Sequence, residues 1–144
     1  MADVKQTESF LARVPLFQDL KKRQLERLAR RFVERDYGPG EAIVTQDMGG
    51  EGIFIVVSGG AEAVRERSDG TKAVVNAFGP TDFFGELALL DDGLRTASVV
   101  TTEATRCLVL TRWDFLSLLS EDADMGVVIA QELAKRFRRV LEVL

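Results

Sequence analysis

A chain of 144 residues with 46% apolar and 29% charged side chains is long enough for one domain with a substantial core and ordinary for a globular protein. It has one cysteine and no histidine, which excludes an internal disulfide, a zinc site of the usual kind and histidine-dependent catalysis. The net charge of −4 is uneven: residues 1–40 carry +3, residues 41–121 carry −7, and residues 122–144 are balanced. No apolar run reaches bilayer length and no signal peptide is visible, so the expected setting is cytoplasmic, with no membrane partner.

In chain order, Ser9 to Val14 and Lys21 to Arg31 show helical spacing, separated by the turn formers Pro15 and Asp19. The basic cluster Lys21-Lys22-Arg23 with Arg27, Arg30 and Arg31 reads as a solvated helix face rather than a nucleic-acid or membrane patch. From Val33 to Leu110 short runs alternate with turn signals. The runs are Ala42–Thr45, Ile53–Val57, Ala61–Val64, Lys72–Phe78, Ala97–Thr101 and Cys107–Leu110, and such spacing predicts an antiparallel sandwich or barrel. Asp69-Gly70 predicts a hairpin turn, and Cys107 reads as a small buried hydrophobe rather than a reactive thiol. After Thr111 the spacing is helical again. Trp113, Leu116 and Leu119 make one stripe, and Met125, Ile129, Leu133, Phe137, Val140 and Leu144 make another along a helix of about five to six turns. The expected organisation is a single domain over 1–144: a helical lead-in (1–32), a β-rich part (33–110) and C-terminal helices (111–144).

The segment 84–99, Phe-Gly-Glu-Leu-Ala-Leu-Leu-Asp-Asp-Gly-Leu-Arg-Thr-Ala-Ser-Val, carries the chemistry. Glu86 stands inside an apolar run, where a carboxylate is costly to desolvate unless something pairs with it. Free backbone N–H groups at the start of a turn, with the Arg95 guanidinium nearby, suit a phosphate. Glu86 then remains to accept hydrogen bonds from hydroxyls, as on a ribose. A sugar and one phosphate together suggest a small nucleotide. A structural salt bridge from Arg95 to Glu86, Asp91 or Asp92 is the competing reading.

Phe84-Gly85-Glu86-Leu87-Ala88-Leu89-Leu90 and Arg95-Thr96-Ala97-Ser98-Val99 closely resemble the phosphate-binding cassette of cyclic nucleotide-binding domains. That family includes the bacterial catabolite activator proteins, the regulatory subunits of cyclic-AMP-dependent kinase and cyclic-nucleotide-gated channels. The resemblance covers nearly the whole chain. Val14-Pro15-Leu16-Phe17 with Leu25 and Leu28-Ala29 looks like the family's helical lead-in. Gly38-Pro39-Gly40-Glu41 with Ile43, and Phe54-Ile55-Val56-Val57-Ser58-Gly59, look like its first β-roll turns and strands. The implied fold class is α+β: an antiparallel β-roll, jelly-roll-like, flanked by N-terminal helices and a C-terminal lid helix.

The resemblance assigns Glu86 to the ribose 2′-hydroxyl and Arg95 to the phosphate, with Gly85, Leu87, Ala88 and Ala97 acting through backbone groups. Thr96 falls where the preference between adenine and guanine is often tuned, and its hydroxyl is open to a base contact, a phosphate contact or none. Ala130-Gln131-Glu132-Leu133-Ala134-Lys135-Arg136-Phe137 resembles the family's lid helix. That match makes Arg136 a candidate partner of Glu86 and puts Val140 and Leu141 near the base. Phe137 reads as core or dimer seam before stacking platform, and Arg136, Arg138 and Arg139 are equally read as a solvated face. Gln46-Asp47-Met48 stands where relatives often have Gln-Gly-Asp, a change expected to alter one loop and leave the site untouched.

The expected function is a cyclic nucleotide sensor, cAMP favoured over cGMP, with no cofactor beyond that ligand and no metal. It is expected not to be an enzyme. Its output would pass through the C-terminal helix to a second copy or an effector. With the chain ending at Leu144 and no helix-turn-helix module in it, no nucleic acid is expected to bind. The alternative is a degenerate domain of the same fold that binds nothing and serves as a protein-interaction module.

Overall fold

A computed structural model of the chain describes residues 3–48, 52–85 and 95–144. Among these, helices α1 (Val4–Leu11) and α2 (Lys22–Ala29) precede strands β1 (Val33–Tyr37), β2 (Ala42–Val44), β3 (Gly52–Ser58) and β4 (Ala61–Glu66). Strands β5 (Lys72–Phe78), β6 (Phe83–Phe84), β7 (Ser98–Thr101) and β8 (Thr105–Thr111) follow, then helices α3 (Arg112–Glu121) and α4 (Ala123–Glu142). Backbone contacts divide the chain into two compact units, a β-roll of residues 32–113 and a helical unit of residues 1–31 with 114–144.

In the β-roll two four-stranded antiparallel sheets have the orders β1-β8-β3-β6 and β2-β7-β4-β5. Because side chains alternate along a strand, the β3–β8 register sets Phe54 beside Val109 and Val56 beside Cys107 on one face. These four join Phe84 of the same sheet and Ala61, Ala63 and Val99 of the other in one apolar core. Phe84 stacks on Phe54 with ring centroids 5.3 Å apart and lies 5.0 Å from Phe78. A buried phenyl ring contributes about 1.5–3 kcal/mol, so these rings anchor the short β6. Cys107 is fully buried, and desolvation pushes its thiol up to about 12, as a small hydrophobe requires.

The Asp69-Gly70 turn forms as expected. Arg67 N–H donates to the Thr71 carbonyl (2.8 Å), and the Asp69 carboxylate accepts from the Thr71 hydroxyl (2.6 Å) and N–H (2.9 Å), which holds its pKa down. Two strands escaped the sequence reading. The Val-Glu-Arg-Asp-Tyr run of β1 has no clean alternation and is a strand because it pairs residue for residue with β8, Val33 opposite Val109 through Tyr37 opposite Thr105. At two residues, β6 is too short to show a period.

In the helical unit, α1 starts five residues before the expected Ser9 because Asp3 caps it. The Asp3 carboxylate accepts from Gln6 N–H at 2.7 Å, and the Gln6 side chain accepts the Asp3 N–H at 3.3 Å. Three of the six residues of the basic cluster at α2 pair with acids: Arg30 with Glu26, Arg27 with Glu121, and Arg31 with Asp114. The α3 stripe is corrected. Phe115 and Leu118 are its buried positions, while Trp113 is 76% exposed. Asp122 caps α4, accepting from Met125 N–H (3.2 Å) and Gln24 Nε2 (3.2 Å), which lowers its pKa. The α4 stripe is half correct: Met125 and Ile129 are buried and Leu133 is half-buried. Phe137, Val140 and Leu144 are exposed, at 64%, 54% and 92%. Among the described residues no helix is long and apolar enough to cross a membrane.

Candidate ligand-binding site

Three stretches of the β-roll converge on the Arg95 guanidinium: the start of β3, the end of β6 and the approach to β7. Arg95 is only 6% exposed, which for a cation is costly unless it is hydrogen-bonded. Its Nη2 donates to the Gly52 carbonyl at 2.8 Å, and its Cζ lies 5.7 Å from the centroid of the Phe54 ring, close enough for a cation–π contribution. The main chain is held as well. Arg95 N–H donates to the Met48 carbonyl (2.9 Å), and its own carbonyl accepts from Asp47 N–H (2.8 Å). The guanidinium is therefore oriented from both ends.

Gly85 follows the last residue of β6 and makes this approach possible. Its φ is +88°, and a β-carbon there would overlap Arg95 Nη1 and come within 2.6 Å of the Gly52 carbonyl oxygen. Gly52 has a separate steric reason. A β-carbon on it would run into the Leu110 carbonyl and lie 2.9 Å from Thr111 Cα, so only glycine keeps β3 against β8 here. Any larger residue at either position would move the carbonyl or the guanidinium.

Of the residues expected at the site, Gly85 and Arg95 are brought together. Thr96 is exposed beside them, and Ala97 is half-buried against the β-roll core. Glu86, Leu87 and Ala88 lie outside the described residues, as do Asp91 and Asp92, so the competing Arg95 salt bridge involves carboxylates outside them too. The candidate lid positions fall on the second half of α4, with Val140 54% and Leu141 51% exposed and Arg136 half-exposed. Among the described residues no cluster of histidine, cysteine or acids is placed to hold a metal.

Sequence reasoning missed Gly52, Phe54 and the 45–48 turn as parts of the site. A glycine opening a strongly apolar strand was an available signal for Gly52. At the Gln46-Asp47-Met48 departure, Asp47 keeps a left-handed φ of +67° without glycine, and the turn is hydrogen-bonded to the Arg95 main chain.

Two antiparallel sheets around one core, with a fixed, buried guanidinium packed against a glycine, define a β-roll that carries a cation suited to an anionic group. The family model for the cyclic nucleotide-binding domain matches residues 34–122, and the chain belongs to that family. It is 27% identical over 132 residues to a CRP-like cAMP-activated global transcriptional regulator of Mycobacterium tuberculosis, covering 92% of this chain and 59% of the relative. It is 34% identical over 124 residues to the cyclic AMP receptor protein of Thermus thermophilus, covering 86% of this chain and 57% of the relative. The chain thus spans less than two thirds of the length of these relatives. The crystal structure of the Thermus thermophilus catabolite activator protein superposes with a TM-score of 0.79 over 90% of this chain and 61% of that one, at 34% identity. The N-terminal domain of a transcriptional regulator from Streptomyces coelicolor superposes with a TM-score of 0.83, covering 98% and 94% of the two chains at 26% identity.

Proposed function

We propose that this chain is the sensor of a regulator that binds a cyclic nucleotide, cAMP in preference to cGMP, and is not itself an enzyme. One observation carries the reading: a buried arginine whose guanidinium is oriented by a carbonyl, an aromatic face and a glycine with no side chain to obstruct it. Such a cation suits a phosphate monoanion, because its orientation is settled before the ligand arrives. The preference for cAMP follows the two bacterial relatives, a cAMP-activated regulator and a cyclic AMP receptor.

In this proposal Arg95 donates to the exocyclic phosphate oxygens and Glu86 accepts from the ribose 2′-hydroxyl. Gly85, Leu87, Ala88 and Ala97 contribute backbone groups, and Thr96 contacts the base or the phosphate. The ligand shifts the population of α4 positions toward one in which Arg136, Val140 and Leu141 close over the base. The exposed apolar end of α4 then carries the signal to a second copy or an effector. The alternative, a non-binding interaction module, would use the same exposed end and give Arg95 a structural role only.

Calorimetric titration of cAMP and cGMP into the protein and into Arg95→Ala tests the reading. Charge-assisted hydrogen bonds contribute about 1.5–3 kcal/mol each, so losing two is expected to weaken binding at least about 100-fold. Absence of binding by folded wild-type protein would favour the interaction module.

A further inference from the structure

The turn that holds Arg95 is itself tied to β4 by one side chain. The register of β4 on β7 pairs Val64 with Ser98, so two residues on, Glu66 would face Thr96 if the pairing continued. It does not continue, because β7 begins at Ser98 and residues 95–97 leave the sheet. Gln46 fills the vacated place. Its Oε1 accepts from Glu66 N–H at 2.7 Å, and its Nε2 donates to the Glu66 carbonyl at 3.0 Å. A carboxamide has the donor and acceptor of a peptide group, so it completes the end of β4 as a neighbouring strand would.

Gln46 is joined to the same neighbourhood through its backbone, its N–H donating to Ser98 Oγ at 2.9 Å. The two residues that follow it make the exchange with Arg95, Asp47 N–H to the Arg95 carbonyl and Arg95 N–H to the Met48 carbonyl. Met48 N–H closes the turn on the Thr45 carbonyl at 3.2 Å. A continuous path of hydrogen bonds therefore runs from β4 through the Gln46 carboxamide and the 45–48 turn to the main chain of Arg95.

We infer that Gln46 is a positioning residue for the ligand-binding arginine. By capping β4 it lets residues 95–97 depart from the sheet, and by anchoring the turn it sets where the Arg95 guanidinium points. This inference rests on the reading of Arg95 as the phosphate ligand. Gln46 is half-exposed, so water can replace its side-chain bonds at little cost in stability, and the larger consequence falls on the geometry of Arg95.

The test is cAMP titration of wild type, Gln46→Met, Arg95→Lys and the double variant, with urea denaturation of each. Gln46→Met keeps the bulk and removes both carboxamide bonds. Expected is a weakening of about tenfold with a nearly unchanged urea midpoint, shrinking to about twofold or less when Arg95 is already lysine. Faster amide exchange at Asp47 and Arg95 should accompany it. Wild-type affinity in Gln46→Met, or the same loss in both backgrounds, would overturn the inference while the sensor reading stands. A folded wild type that binds neither cAMP nor cGMP would overturn the sensor reading and this inference with it.

Discussion

Arg95 in the β-roll and Glu132 in the helical unit are charged side chains buried to almost the same depth, 6% and 5% exposed, and they are supported in opposite ways. Arg95 meets a strand carbonyl at 2.8 Å, the face of a core phenylalanine and a glycine at which any side chain would overlap it. Glu132 meets Lys135 at 3.9 Å and Arg139 at 3.8 Å, both on its own helix, with side chains 63% and 65% exposed. The partners of Arg95 cannot follow it if it moves, whereas those of Glu132 can turn to water. On the proposed function, Arg95 is a charge prepared for a ligand, which needs the first kind of support. A charge that only has to be tolerated can live with the second.

The sharpest way to break this contrast is Gly85→Ala. A left-handed φ costs an alanine about 1–2 kcal/mol, and the methyl group would also displace the guanidinium. Ligand affinity is expected to fall by about tenfold or more together with a lower urea midpoint. A variant with unchanged affinity would show that Arg95 tolerates displacement as Glu132 should.

Glu132→Gln probes the other side. Both cations can rehydrate, so the expected cost in urea denaturation is below about 1 kcal/mol. A loss of several kcal/mol would show that Glu132 is gripped as firmly as Arg95.

A smaller effect is expected at the turn. Asp47→Gly removes the left-handed penalty, which aspartate bears better than most residues, and should raise stability by about 0.5 kcal/mol without weakening ligand binding. Thermal melts with and without cAMP read both quantities.

The smallest expected effect is on pH dependence in the helical unit. Asp122 has its carboxyl lowered from 3.8, first by the Met125 N–H and then by Gln24. The stability it contributes is present above the unfolded value and is lost as pH falls through the lower folded value. Asp122→Asn should therefore flatten the acid limb of the melting temperature below about pH 4, and an unchanged limb would place the sensitivity elsewhere.

The two regions also differ in how well they could be read in advance. The β-roll strands were legible where apolar residues alternate or run together, as in β3 and β5. Others were hidden where pairing alone makes the strand, as in β1, whose three charged residues gain their conformation from β8. Helical periodicity identified α4 but not how far its apolar stripe would be covered, since a period states which residues share a face and not what meets that face. In α3 the three-residue step from Trp113 misses the buried face, which runs through Phe115 and Leu118. At the site, Gly85 and Arg95 were visible as a local motif. Gly52 and Phe54 were not, because they reach Arg95 from 43 and 41 residues away in the chain.

The sequence by itself pointed to the family and the antiparallel β-roll, and it named Gly85 and Arg95 among its candidate site residues. Composition excludes whole classes of chemistry, and the spacing of a glycine, an acid and an arginine is a local property that survives without coordinates. Only the tertiary structure decided how the arginine is held, because its support comes from strands and a turn that become neighbours through sheet pairing. Register brings the Gly52 carbonyl, the Phe54 ring and the Gln46-anchored turn to the approach of β7, and no residue's identity alone specifies that meeting.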